Sequence, residues 1–112
     1  MKIHEVAKAE PKPNPHGADV RMLYNHESAQ AIHITLKPGE SLKRHITPTD
    51  VFFYILEGRG TVEVGEEKQE VSADTLVESP ANIVHCLYNT GKEDFRVLVV
   101  KAPRPVNKST IL

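Results

Sequence analysis

The sequence predicts an all-β domain, an antiparallel sandwich or barrel, and three observations carry that prediction. Eight prolines and six glycines are spread through the chain, and between them no stretch keeps apolar residues at helical spacing long enough for a substantial helix. Short runs rich in Val, Ile, Phe and Tyr recur, each bounded by a turn signal. One of them, residues 51–56, is apolar at every position, as a strand covered on both faces would be.

Taken in order, Pro11, Pro13 and Pro15 hold their predecessors extended and remove amide donors, so residues 1–19 read as an extended N-terminal arm or edge. Strands follow at 20–24, 29–36, 51–56, 61–64, 75–78, 83–88 and 95–101. Turns fall at 25–28, 37–40, 57–60, 65–68, 79–82 and 89–92, with Gly58 and Gly60 forming a hairpin turn in a variable hairpin over 57–71. Residues 20–102 are then the barrel and 103–112 a C-terminal tail. Alternation puts Ile83, His85, Leu87 and Asn89 on one face of their strand and Val84, Cys86 and Tyr88 on the other. The wholly apolar strand needs cover on its outer face from a second sheet, a terminus or a neighbouring subunit, and a homodimer is expected.

With 112 residues the chain has room for one domain and no second catalytic unit. Lys and Arg number 14 against 15 Asp and Glu, so no basic field exists to collect nucleic acid or an anionic membrane surface. No apolar run approaches the ~20 residues of a membrane-spanning helix, and the first residues carry charge where a signal segment would be apolar; a soluble, cytoplasmic protein is expected. The single cysteine, Cys86, excludes an internal disulfide and a cysteine zinc cluster and suits a reducing compartment.

Gly39, His45 and Gly58 in one segment, and Pro80, Asn82, His85 and Asn89 in another, stand in an order and spacing that resemble the two motifs of the cupin family. Asn82 occupies a glycine position, a mild exchange because Asn tolerates positive φ better than most residues. The resemblance implies a jelly-roll barrel, the double-stranded β-helix, and a metal held between the motifs by three histidines and a glutamate. Thr47 stands in the place of the second histidine and Val51 in that of the glutamate, leaving His45 and His85 as matching ligands. The resemblance thus implies a divalent transition metal (Fe, Mn, Ni, Cu or Zn) on His45 and His85, completed by water or other groups, since a threonine hydroxyl is a poor ligand and valine is none.

Three residues are candidates to complete that shell: Asp50 if a bulge near Pro48 re-aims it, His33 opposite the stripe Ile32, Ile34 and Leu36, and His16 on the arm. Thr47, Thr49, Val51, Phe53 and Ile55 share the face of His45, and with Ile83, Leu87 and Asn89 they form the expected small-molecule pocket. Cys86 lies on the face opposite His85 and reads as a small buried hydrophobe, while His4 and His26 read as surface residues. Three functions remain open. The protein is a metal-dependent enzyme of oxygenase, isomerase or lyase type, a metal-free barrel binding a small ligand, or a structural or accessory dimer.

Overall fold

The computed structural model describes residues 1–112. Its strands are β1 (Asp19–His26), β2 (Ala29–Leu36), β3 (His45–Ile46), β4 (Asp50–Glu57), β5 (Arg59–Val64), β6 (Glu67–Ser72), β7 (Leu76–Ser79), β8 (Val84–Tyr88), β9 (Phe95–Ala102) and β10 (Thr110–Ile111). They form two five-stranded sheets, β1-β2-β9-β4-β7 and β10-β3-β8-β5-β6, with every pairing antiparallel. This is the double-stranded β-helix of the expected fold class.

The inward stripes of the two sheets make the core. Ile32 and Ile34 of β2, Val51, Phe53 and Ile55 of β4, and Phe95, Val97 and Val99 of β9 meet Val62 of β5, Leu87 of β8 and Leu42. Burial of each such side chain stabilises the fold by about 1.5–3 kcal/mol. On the outer side of β4, Phe52 and Tyr54 stay partly exposed, directly across from Val100 and Leu98 of β9.

Gly58 and Gly60 are not a hairpin turn. β4 and β5 belong to different sheets, and Gly58, at φ +85°, is the corner where the chain crosses between them. A Cβ there would lie 2.2 Å from the Asp94 carbonyl oxygen, and one at Gly60 would lie 2.5 Å from the Phe95 ring. The hairpin in this region is β5–β6, turning at Gly65. β6 was hidden in the sequence because only Val71 of its six residues is buried, so it carries no apolar alternation.

The N-terminal arm folds along its own barrel. Lys12 donates its backbone N–H to Val20 at 2.8 Å, and the Asn14 side chain braces Lys12 and Ala18. Arg21 donates to the carbonyls of Val6, which opens a single 3₁₀ turn at Val6–Lys8, and of Ala9, which caps it. At the other end, β10 of the C-terminal segment pairs with β3.

Candidate functional site

Antiparallel pairing of β3 with β8 sets His45 directly opposite His85. Both are buried, and their Nε2 atoms lie 3.0 Å apart. The Nδ1 atom of His45 is 2.7 Å from the Lys43 carbonyl oxygen, which only accepts, so Nδ1 carries the proton and Nε2 is bare. The proton between the rings therefore belongs to His85, whose own Nδ1 accepts from the buried Ser79 hydroxyl at 2.8 Å. Thr47 Oγ1 stands 3.1 Å from His85 Nε2 and 2.9 Å from Ser109 Oγ, and Phe53 packs edge-on against the His85 ring.

These rings sit at the inner end of a cavity of about 390 Å³. Its apolar walls are Val20, Ile32, Ile34, Leu42, Phe53 and Val99. The arm and the C-terminal segment complete it: Asn14, Pro15 and His16 come from the first, and Pro105 through Ser109 and Ile111 from the second. His16 is fixed by the Lys43 N–H, which donates to its Nδ1 at 2.8 Å, and its ring centroid lies 4.8 Å from that of His45. Lys101 and Lys108 also line the space, and no carboxylate does.

Charge on the rings is suppressed. Burial, followed by the neighbouring His45, pushes His85 down to about 3, and burial, then His45, pushes His16 to about 4. Burial lowers His45 as well, partly opposed by its bond to the Lys43 carbonyl. Lys101 is itself lowered by burial. At neutral pH the three imidazoles are neutral.

For a metal, the pair offers a partial fit. Nitrogens 3.0 Å apart can both reach one ion at the ~2.1 Å of a metal–imidazole bond, and both Nδ1 atoms are anchored as ligating histidines require. The Ser79 hydroxyl accepts as readily as it donates, so His85 can change tautomer. Yet no group of three or more His, Cys, Asp or Glu side chains gathers here, and the lysines oppose a cation. The residues make a two-nitrogen foothold rather than a cage.

Of the candidate extra ligands, only His16 reaches this cavity. Asp50 is exposed, its carboxylate accepting the Ala81 N–H at 2.9 Å: strict alternation holds, with no bulge to turn it inward. His33 is buried on the face of β2 away from Ile32 and Ile34, accepting from Arg96 Nε at 3.1 Å through Nε2, with its Nδ1 unpartnered.

Phe53 is the one member of the expected pocket that lines the cavity. Val51, Ile55 and Leu87 are packed into the core, and Thr47 stands behind His85. Thr49 Oγ1 donates to the Pro103 carbonyl. Asn89 clasps a loop, donating to Leu36 and Glu93 carbonyls and accepting the Gly91 N–H. Ile83 precedes β8, is 39% exposed and lines a separate surface cleft with Val64 and Leu76. Sequence reading missed Lys101, Ser79 and Ser109. Lys101 was signalled, since alternation through Phe95, Val97 and Val99 points it inward.

A family model described as Cupin domain matches residues 32–101. The chain is 28% identical over 113 residues to polyketide synthase CurC of Streptomyces cyaneus, an alignment covering 93% of this chain and 73% of that one. The crystal structure of TT1209 from Thermus thermophilus superposes with a TM-score of 0.80 at 29% identity, covering 94% of this chain and all of that one. The polyketide cyclase RemF from Streptomyces resistomycificus gives a TM-score of 0.84 at 17% identity, covering 100% and 85% of the two chains, a likeness of fold.

Proposed function

The chain belongs to the cupin family, and from that premise we propose that its barrel is a binding site for a small, partly apolar molecule, with the His45–His85 pair at the inner end. The observation that carries this reading is the cavity itself, of about 390 Å³, with aliphatic and aromatic walls and with Lys101 and the histidines among its polar lining. Its size and chemistry are those of small-ligand sites. In this reading the arm, residues 1–19, and the segment 103–112 are walls of the site attached to a barrel unit of 20–102. The names of CurC and RemF make oxygenated polyketide-like compounds the first library to screen. Protein-observed NMR tests the reading: hits should move the resonances of Ile32, Ile34, Phe53 and Val99 and weaken in Ile34→Trp, which fills the space. Hits that shift only residues outside the cavity would overturn it.

A second reading, a divalent metal on His45 and His85, is favoured by the converging Nε2 atoms and anchored Nδ1 atoms. A bound ion would supply Lewis acidity toward the ligand. This chain's own residues would orient that ligand, through the apolar walls, and exclude water. The partly exposed outer strip of Phe52, Tyr54, Leu98 and Val100 supports a homodimer, and the buried thiol of Cys86 suits a reducing, cytoplasmic setting. No helix is long and apolar enough to cross a membrane.

A further inference from the structure

The cavity's charge is one-sided. Its lining carries Lys101, Lys108 and three histidines, and not one Asp or Glu. Five cations, Lys8, Arg21, Arg44, Arg59 and Arg96, each meet a carboxylate, and the cations left unpaired outside the cavity are on the surface. Lys101 meets no carboxylate and makes no side-chain hydrogen bond, though it ends the inward stripe of β9 and stands across from Gln30 of β2 and Val51 of β4. A half-buried ammonium without a partner is unfavourable by itself and favours whatever anion can reach it.

From this we infer that the molecule the cavity takes is a small organic carboxylate with an apolar body. Its carboxylate sits at Lys101, and the body lies against Ile32, Ile34, Phe53 and Val99. This rests on the small-molecule reading of the same cavity and adds the ligand's charge and shape. The aliphatic and aromatic walls favour an organic anion over an inorganic one, because phosphate or chloride would leave that surface unused.

The test uses the full chain in the presence of EDTA, so that no metal can capture the carboxylate. Benzoate and hexanoate are titrated against their neutral isosteres benzamide and hexanamide, by NMR or calorimetry. At least one acid is expected to bind tenfold or more tightly than its amide. In Lys101→Met, which keeps the stem and removes the charge, that preference should vanish while amide affinity stays within twofold; Lys101→Arg should keep it. Acid and amide binding equally would overturn the carboxylate assignment and leave the small-molecule site standing. Inorganic phosphate competing as well as benzoate would reassign the site to inorganic anions. Failure of all four compounds to bind at millimolar concentration would overturn the pocket reading and this inference with it.

Discussion

His45 and His85 lie directly opposite each other on paired strands, with Nε2 atoms 3.0 Å apart and both Nδ1 atoms engaged, to the Lys43 carbonyl and the Ser79 hydroxyl. The pair is therefore satisfied without a metal, one proton bridging two neutral rings. An ion would have to displace that hydrogen bond and reverse the His85 tautomer. It would gain two nitrogen donors in return, half of what the family motif provides.

Weak metal retention follows. Protein purified without chelator should carry well under one equivalent of any transition metal by elemental mass spectrometry, and Zn²⁺ uptake on titration should disappear in the His45→Ala, His85→Ala double variant. Thr47→His, placed beside His85 Nε2, should tighten Zn²⁺ binding at least about tenfold by adding a third imidazole. A full equivalent that persists in the double variant would place the metal elsewhere.

Much of this architecture was legible from alternation and turn chemistry, and the exceptions have physical causes. The strands at 29–36, 51–56 and 95–101 were readable because each buries a continuous inward stripe. Asn82 adopts φ +64°, as its glycine-like motif position required. β6 was silent because an exposed edge strand needs no apolar period. β3 and β10 are two residues each, too short for any pattern. His45 and His85 could be found from motif spacing. The one-sided charge of the cavity could not, because the N-terminal arm that brings His16 and the C-terminal stretch that brings Lys101 and Lys108 meet only in the folded chain.

Acid should destabilise the protein in two stages. His85, His16 and His45 all titrate below the ordinary histidine range, so the unfolded chain binds protons before the native one does. Stability is complete above about pH 6.5 and falls as pH drops toward the native values; His85 alone, at about 3, removes about 2 kcal/mol by pH 5. Below the usual carboxylate range Glu63 adds to the loss. The Tyr88 hydroxyl and, less strongly, Arg44 depress its titration, so its stabilisation holds above the unfolded value and fades as the carboxylate is protonated. Chemical denaturation from pH 8 to pH 4, with chelator present, measures the slope. A flat profile between pH 7 and pH 5 would contradict neutral, buried rings.

Gly60→Ala should be among the most damaging single-methyl additions in the chain. The new Cβ would meet the Phe95 ring at 2.5 Å and the Tyr88 carbonyl oxygen at 2.6 Å, and Phe95 is fully buried. Overpacking of this kind costs about 1–3 kcal/mol, and at Gly58, where the obstacle is backbone and φ is positive, the loss should be larger still. Gly39→Ala provides the comparison. It has the same +85° φ but open space around it, so it should lose only the conformational part. Denaturant midpoints rank the three; Gly39→Ala proving the worst would show that backbone strain, not crowding, governs these turns.

The outer strip of the first sheet predicts the oligomeric state. Phe52 faces Val100 and Tyr54 faces Leu98 across the β4–β9 pairing, with Leu76, half exposed, on the far side of Tyr54. A contiguous apolar surface of this kind on a small chain marks an interaction site. A second copy packed on it would bury the same strip on both partners, as two-fold symmetry requires. Sedimentation velocity at about 10 μM should return the mass of a dimer. Phe52→Glu combined with Leu98→Glu puts charges where each side chain is already partly solvated, so the barrel should stay folded by circular dichroism while the dimer splits into monomers. Wild-type protein sedimenting as a monomer, or a variant that remains dimeric, would show that the strip is not the contact surface.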